Sequence, residues 1–199
     1  SGKILHPMGE PELQIQLKAE SVDPQVIDST LPFSGKVGIE ANLSGEWKVL
    51  HAEGRLRVDD GNISGWSLAG FSTRFAGRRN GGDWTGSVTD GQGTLAGEAL
   101  RDLDFSILQQ QGQLQLQALS VRIGSGSVAA NGSLGPEALD LNVTAASVPM
   151  SLLSRTYPEF QASGALDFIG RLTGSPADVQ IAGTFMAVDG SVLQQPFTR

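Results

Sequence analysis

The sequence predicts an all-β fold: a long, mostly antiparallel, curled sheet built of repeats. Three observations predict it. Apolar and polar residues alternate with period two along most of the chain, which on a strand gives one dry and one wet face. No apolar pattern of helical period reaches about ten residues, the usual minimum for a covering helix. Residues 35–63 return, in altered form, as residues 164–192.

The first copy reads GKVGIEANLSGEWKVLHAEGRLRVDDGNI. Val37, Ile39, Ala41 and Leu43 alternate with Lys36, Gly38, Glu40, Asn42 and Ser44. A second strand sets Gly54, Leu56 and Val58 against Glu53, Arg55, Arg57 and Asp59, and Asp60-Gly61 closes it. At an offset of 129, Gly35, Leu43, Gly45, Gly54, Asp60 and Gly61 fall on Gly164, Leu172, Gly174, Gly183, Asp189 and Gly190. Upstream, LQIQLKAESV at 13–22 parallels LDLNVTAASV at 139–148. The expected organisation is a lead-in (1–12) and one repeating sheet segment (13–199), with repeat-like units at 13–63 and 139–193, cut from a longer protein.

Composition agrees with many short strands and tight turns: Gly is 26 of 199 residues and aromatics are 6%. The net charge of −7 argues against nucleic acid, whose binding needs clustered Lys and Arg. With no Cys there is no disulfide framework and no thiolate metal site. No apolar run is long enough for a membrane-spanning helix.

In chain order, Leu13, Ile15, Leu17 and Ala19 mark the first strand, and Asp23-Pro24 ends it. Val26 to Leu31 read as a short helical turn with Asp23 as N-cap and Pro24 at the first helical position. Its counterpart spans 150–156, and both are too short to cover a sheet. Trp66 and Leu68 keep one phase and Phe71, Thr73 and Phe75 the other, so a bulge is expected at Ala69-Gly70. Residues 78–82 read as a turn. Asp60-Gly61, Asp90-Gly91 and Asp189-Gly190 each end a strand-like run, as Asp-Gly does in tight hairpins. Strands follow at Leu103–Ile107, at Leu114–Ala118 with a slip at Leu119, and at Val128–Leu134. The total is roughly a dozen strands of about 7–10 residues.

A dozen one-sided strands must bury their dry face, as a sandwich, a closed barrel or an open trough filled by a ligand. Ala41, Gly54, Ala130, Gly132, Gly170 and Gly183 leave space in the apolar rows that a tight sandwich would fill. In the trough, the lining is Ile15, Leu17, Val37, Ile39, Leu43, Leu56, Val58, Phe105, Leu116, Val128, Leu141, Val143, Leu166, Phe168, Leu172 and Phe185.

The recurring G-x-[VL]-x-[IF]-x-x-x-L-[ST]-G, A-x-G-x-[LF] and D-G-x-[IV] resemble the AsmA/TamB superfamily. LQLQALSVRIGSGSVAANGSLGPEALDLNV at 114–143 is similar too, and residues 139–183 resemble the repeating C-terminal part of TamB proteins. The resemblance implies a taco-like β-groove with a hydrophobic interior, in the periplasmic part of an inner-membrane-anchored protein of a diderm bacterium. It implies phospholipid acyl chains carried between inner and outer membranes, with the lining above as the lipid-binding residues. For the parent chain it implies an Omp85-type outer-membrane barrel as partner. Two alternatives stand beside it: a scaffold for outer-membrane β-barrel assembly that binds client strands by β-augmentation, and a ligand-free structural β-sandwich or solenoid.

No catalytic constellation emerges, so no enzyme activity, cofactor or metal is expected. His6 and His51 lack metal-ligand spacing, and no G-x-S-x-G occurs. Asp59 and Asp60 are adjacent, so their side chains diverge on a strand. Gly124-Ser125-Gly126-Ser127 precedes a strand and reads as a turn.

Overall fold

The computed structural model describes residues 1–5, 12–27, 29, 33–46, 48–135, 138–156, 162–175, 178–192 and 195–197. The chain is a meander. Its elements are β1 (Gly2–Leu5), β2 (Glu12–Val22), α1 (Pro24–Ile27), β3 (Phe33–Glu46), β4 (Val49–Ile63), β5 (Trp66–Asn80), β6 (Asp83–Leu95) and β7 (Glu98–Gln110). They continue as β8 (Gln113–Ile123), β9 (Gly126–Leu134), β10 (Leu139–Pro149), α2 (Ser151–Thr156), β11 (Ala162–Ser175), β12 (Asp178–Val192) and β13 (Gln195–Phe197). All thirteen strands form one antiparallel sheet in sequence order, curled and unclosed. Each strand lies beside the one before it because each connection is short.

The sheet is one layer. The accessible surface is 12714 Å², against about 9000 Å² for a compact protein of this mass. Neither a sandwich nor a barrel forms among the described residues, so most of the dry face is shaded only by the sheet's own curl.

Several expectations are corrected. The Asp-Gly pairs are not hairpin turns but lie inside β4, β6 and β12. Asp90 and Asp189 do adopt positive φ (56° and 45°), but to form bulges. Hairpins turn instead at Ser64-Gly65, Ala96-Gly97 and Gln111-Gly112, where both residues have positive φ, the primed geometry that matches strand twist. Strands β2–β12 therefore run 9–15 residues, longer than expected. Residues 78–80 belong to β5, and only Gly81-Gly82 turns. Residues 2–5, expected as a lead-in, pair with β2. Residues 6–11 (with His6) and 157–161 lie outside the described residues.

The bulges form a seam. Register shifts at Ala19/Val22, Gly35/Val37, Ala69/Ser72, Val88/Gly91, Arg101/Asp104, Ala145/Val148 and Ser163/Ala165 recur toward one end of the strands, with β4–β5 and the pairings of β9 between them free of such a shift at that end. A bulge bends its strand and increases local twist, so a row of them curls the whole sheet. Amides at two bulges are held by carboxylates of the next strand. The Asp90 N–H donates to Asp104 Oδ1 (2.9 Å) and the Ser147 N–H to Asp167 Oδ1 (2.6 Å). The expected bulge at Ala69-Gly70 and slip at Leu119 are both present.

The two similar segments correspond element by element. β2, α1, β3 and β4 match β10, α2, β11 and β12 in order. Positive φ recurs at Ser21 and Ser147, Gly35 and Gly164, and Gly45 and Gly174. The Asp23 carboxylate caps α1 by accepting the Gln25 N–H at 3.0 Å.

Candidate functional site

Partners across an antiparallel ladder share a face. The register places all sixteen predicted lining residues on one face of the sheet. Ile15 pairs with Leu43, Ile39 with Leu56 and Val37 with Val58. Leu141 pairs with Leu172, Val148 with Leu166 and Phe168 with Phe185. One row runs without a polar residue through Ile15, Leu43, Ala52, Gly77, Gly86, Ile107, Leu116, Gly132, Leu141, Leu172 and Ile181.

Burial separates the faces. Val58, Leu116 and Phe168 are buried, and Leu17 and Phe185 are exposed at 44% and 56%. The other eleven lining residues are half-buried. Lys18, Glu40, Arg55, Arg57, Arg74 and Asp90 on the opposite face are exposed. The apolar face is thus a trough shaded by its own curl.

Sequence reading missed part of this face. Phe71, Thr73, Phe75 and Val88 belong to it, because Val58 pairs with Phe71, Leu56 with Thr73 and Gly54 with Phe75. The signal was present as alternation interrupted at Gly70; following the phase across the bulge recovers these residues. Thr73 is the buried polar residue of the face among the described residues, and its Oγ1 donates to the Thr89 carbonyl at 2.9 Å.

The glycines do not leave empty space, which corrects the expectation. A Cβ at Gly54 would lie 2.7 Å from Phe75 Cζ, and one at Gly170 would lie 2.5 Å from Phe168 Cζ. Aromatic rings lie over these bare backbones, and Phe168 and Phe185 stack with centroids 4.5 Å apart.

The short helices differ. After β10, Ser151 Oγ meets Glu98 Oε1 of β7 at 3.3 Å, reaching back over two intervening strands. Met150 and Leu152 are each 4% exposed, and Leu100, Val121 and Ala96 at the same end of the sheet are also buried. α2 therefore closes one end of the trough, and at six residues it is too short to cover the sheet. In α1 the matching residue, Val26, is 83% exposed. Leu152→Ala should cost about 2–4 kcal/mol in chemical denaturation, whereas Val26→Ala should change stability by less than about 0.5 kcal/mol.

The polar face carries exposed ion pairs: Lys18 with Glu20 and Glu40, Arg57 with Asp59, Arg74 with Asp90, Arg122 with Asp102 and Arg171 with Asp140. A concavity of about 1040 Å³ on this face is lined by Lys36, Glu40, Arg55, Arg57, Asp59, Arg74 and Asp90 among others. Most of these charges already have partners of opposite sign, so the concavity selects no ligand charge. Twist makes each face concave in one direction, which explains a hollow on the wet side.

The Arg171 guanidinium, hydrogen-bonded to Asp140, holds that carboxyl below the usual carboxylate range. A depressed folded-state value gives stability that is present above the ordinary carboxylate pKa and is lost as pH falls through the depressed one. In Arg171→Gln, the Asp140 carboxyl should titrate closer to its ordinary value by NMR. An unmoved titration would contradict the pairing. Glu20, then Glu40, hold the Lys18 ammonium above its ordinary value.

His51 is exposed between Ser44 and Arg78 on the wet face. Among the described residues no cluster of His, Asp or Glu is placed to hold a metal ion, and no helix is long and apolar enough to cross a membrane. No family model, curated protein or solved structure matches this chain.

Proposed function

We propose that the chain is a segment of a periplasm-spanning lipid conduit, in which phospholipid acyl chains lie in the trough on their way between inner and outer membranes. The observation that carries this reading is the single apolar face, continuous across the sheet and uncovered by any second layer among the described residues. Burying a CH₂ group is worth about 0.8 kcal/mol, so a 16-carbon chain gains on the order of 10 kcal/mol before ordering costs. The lining is apolar over nearly its whole length, aliphatic with interspersed Phe and Gly, so that gain has no single deep maximum and favours sliding over trapping. At about 4.8 Å per strand, thirteen strands reach roughly 60 Å. The motif resemblance to the AsmA/TamB superfamily supports the same assignment, and with it an inner-membrane-anchored parent chain and an Omp85-type barrel as its partner.

Native mass spectrometry with lipid extraction of the purified chain tests the proposal. Bound phospholipid at one or more copies per chain is the expected result. A folded chain that is free of lipid and inert to acyl probes would overturn it.

A further inference from the structure

The two rims of the trough differ in charge. Ala52, Gly77, Gly86 and Ile107 lie in one apolar row of the trough face. Two residues outward, in the same phase, the row is Leu50, Arg79, Trp84 and Gln109. Arg79 and Trp84 are therefore cross-strand neighbours on the trough face, beside the Gly81-Gly82 turn. At the other end of the strands, Glu98 shares the trough-face row of Leu68 and Leu95, and Ser151 of α2 meets its carboxylate. A guanidinium thus marks one rim, and a carboxylate marks the rim that α2 closes.

The Arg79 side chain is fixed in place but not neutralised. Its Nε donates to the Gly81 carbonyl at 3.0 Å, and its terminal amino groups have no partner among the described residues. Arg57, Arg74, Arg122 and Arg171 on the wet face each face a carboxylate. Asp83 is close in sequence, but it lies on the wet face opposite Asn80, where its Oδ1 accepts the Gln111 N–H at 3.4 Å. The Gly81 N–H donates to the Lys48 carbonyl at 2.8 Å, which brings a second exposed cationic residue to the same turn. Trp84 is half-buried and bridges rim and trough. A Cβ at Gly86 would lie 3.4 Å from Trp84 Cζ3 and 3.3 Å from Ile107 Cγ1, so the apolar edge of the indole reaches inward over bare backbone. Its Nε1, on the opposite side of the indole, has no partner among the described residues. An aromatic body with one apolar and one polar side suits a boundary between acyl chains and water.

Building on the conduit reading, we propose that the Arg79–Trp84 rim holds the head-group phosphate of a lipid whose acyl chains lie in the trough. The guanidinium offers parallel N–H donors that match phosphate oxygens. A phosphate at Arg79 puts the first acyl carbons at the Gly86–Ile107 row, two residues inward or about 7 Å along the strand. Glu98 repels a phosphate from the opposite rim, so the head groups at this stretch of the trough face one way.

Dioleoyl phosphatidic acid and dioleoylglycerol share their acyl chains and differ in the phosphate, so their competition against a fluorescent acyl probe isolates the rim. The wild-type chain should bind the phosphatidic acid at least about fivefold more tightly. Arg79→Gln should remove that preference and change dioleoylglycerol binding by less than about twofold, with circular dichroism unchanged. Arg78→Gln, one residue away on the wet face, should keep the preference. Inorganic phosphate, matched in ionic strength to chloride, should not displace the lipid. Equal binding of both lipids by the wild type, or a preference that survives Arg79→Gln, would overturn the inference and leave the trough standing. Displacement by inorganic phosphate would also overturn it, by making the rim a site for a free anion. Binding of neither lipid would overturn the conduit reading and this inference with it.

Discussion

Valine at Gly54 should destabilise the sheet by about 3 kcal/mol. The added Cβ would lie 2.2 Å from the Glu40 carbonyl oxygen and 2.9 Å from the Ala41 Cα, both backbone atoms. It would also meet the Phe75 ring, which covers the bare glycine at 2.7 Å. A ring can rotate away, but the β3 backbone moves only if the Ala41↔Gly54 pairing opens. Overpacking of this kind typically costs about 1–3 kcal/mol, and uncovering the aromatic ring adds to it. Gly82→Ala is the control, since nothing lies within 4 Å of its Cβ position. Urea denaturation should separate the two variants clearly. Equal midpoints would mean that the glycine–aromatic interlock does not hold the strands together.

Leu166→Asp should abolish acyl-chain binding while the sheet remains folded. Leu166 is half-buried on the apolar face, opposite Val148 on one side and Ala187 on the other. Water still reaches the position, so the carboxylate stays hydrated and costs the fold little. An acyl chain lying across it would have to strip that hydration, and burying a charge without a partner is prohibitively costly. Val37→Asp should act in the same way from the other segment. In contrast, Val58→Asp places the charge where only 2% of the residue is exposed and should cost about 3 kcal/mol or more of stability. Wild-type binding of a fluorescent acyl probe by folded Leu166→Asp would remove the trough from the account.

Much of this was legible in the sequence because a strand's period is two. Ile15, Leu43, Leu56 and Phe168 announce their shared face by alternation alone, and cross-strand register then brings them together. Bulges were harder to read. At Asp90 the positive φ that Asp-Gly supplies bends β6 instead of reversing the chain. The dipeptide reports a backbone conformation, and neighbouring strands decide whether that conformation becomes a turn or a bulge. The burial of Leu152 was illegible for a related reason. A six-residue helix carries too few side chains to show a face, and its long-range tie is Ser151 to Glu98, 53 residues earlier, beyond the reach of any local pattern. The exposed Val26 and buried Leu152 have equivalent sequence settings but different sheet neighbours.

The most direct test of the conduit is site-specific photocrosslinking along β3 and β4 in cells, one residue at a time. Ile39 and Leu56 face the trough, while their neighbours Glu40 and Arg55 pair with each other on the wet face. Phospholipid adducts should alternate with period two: present at Ile39 and Leu56, absent at Glu40 and Arg55. Adducts without alternation, or confined to the wet face, would contradict it.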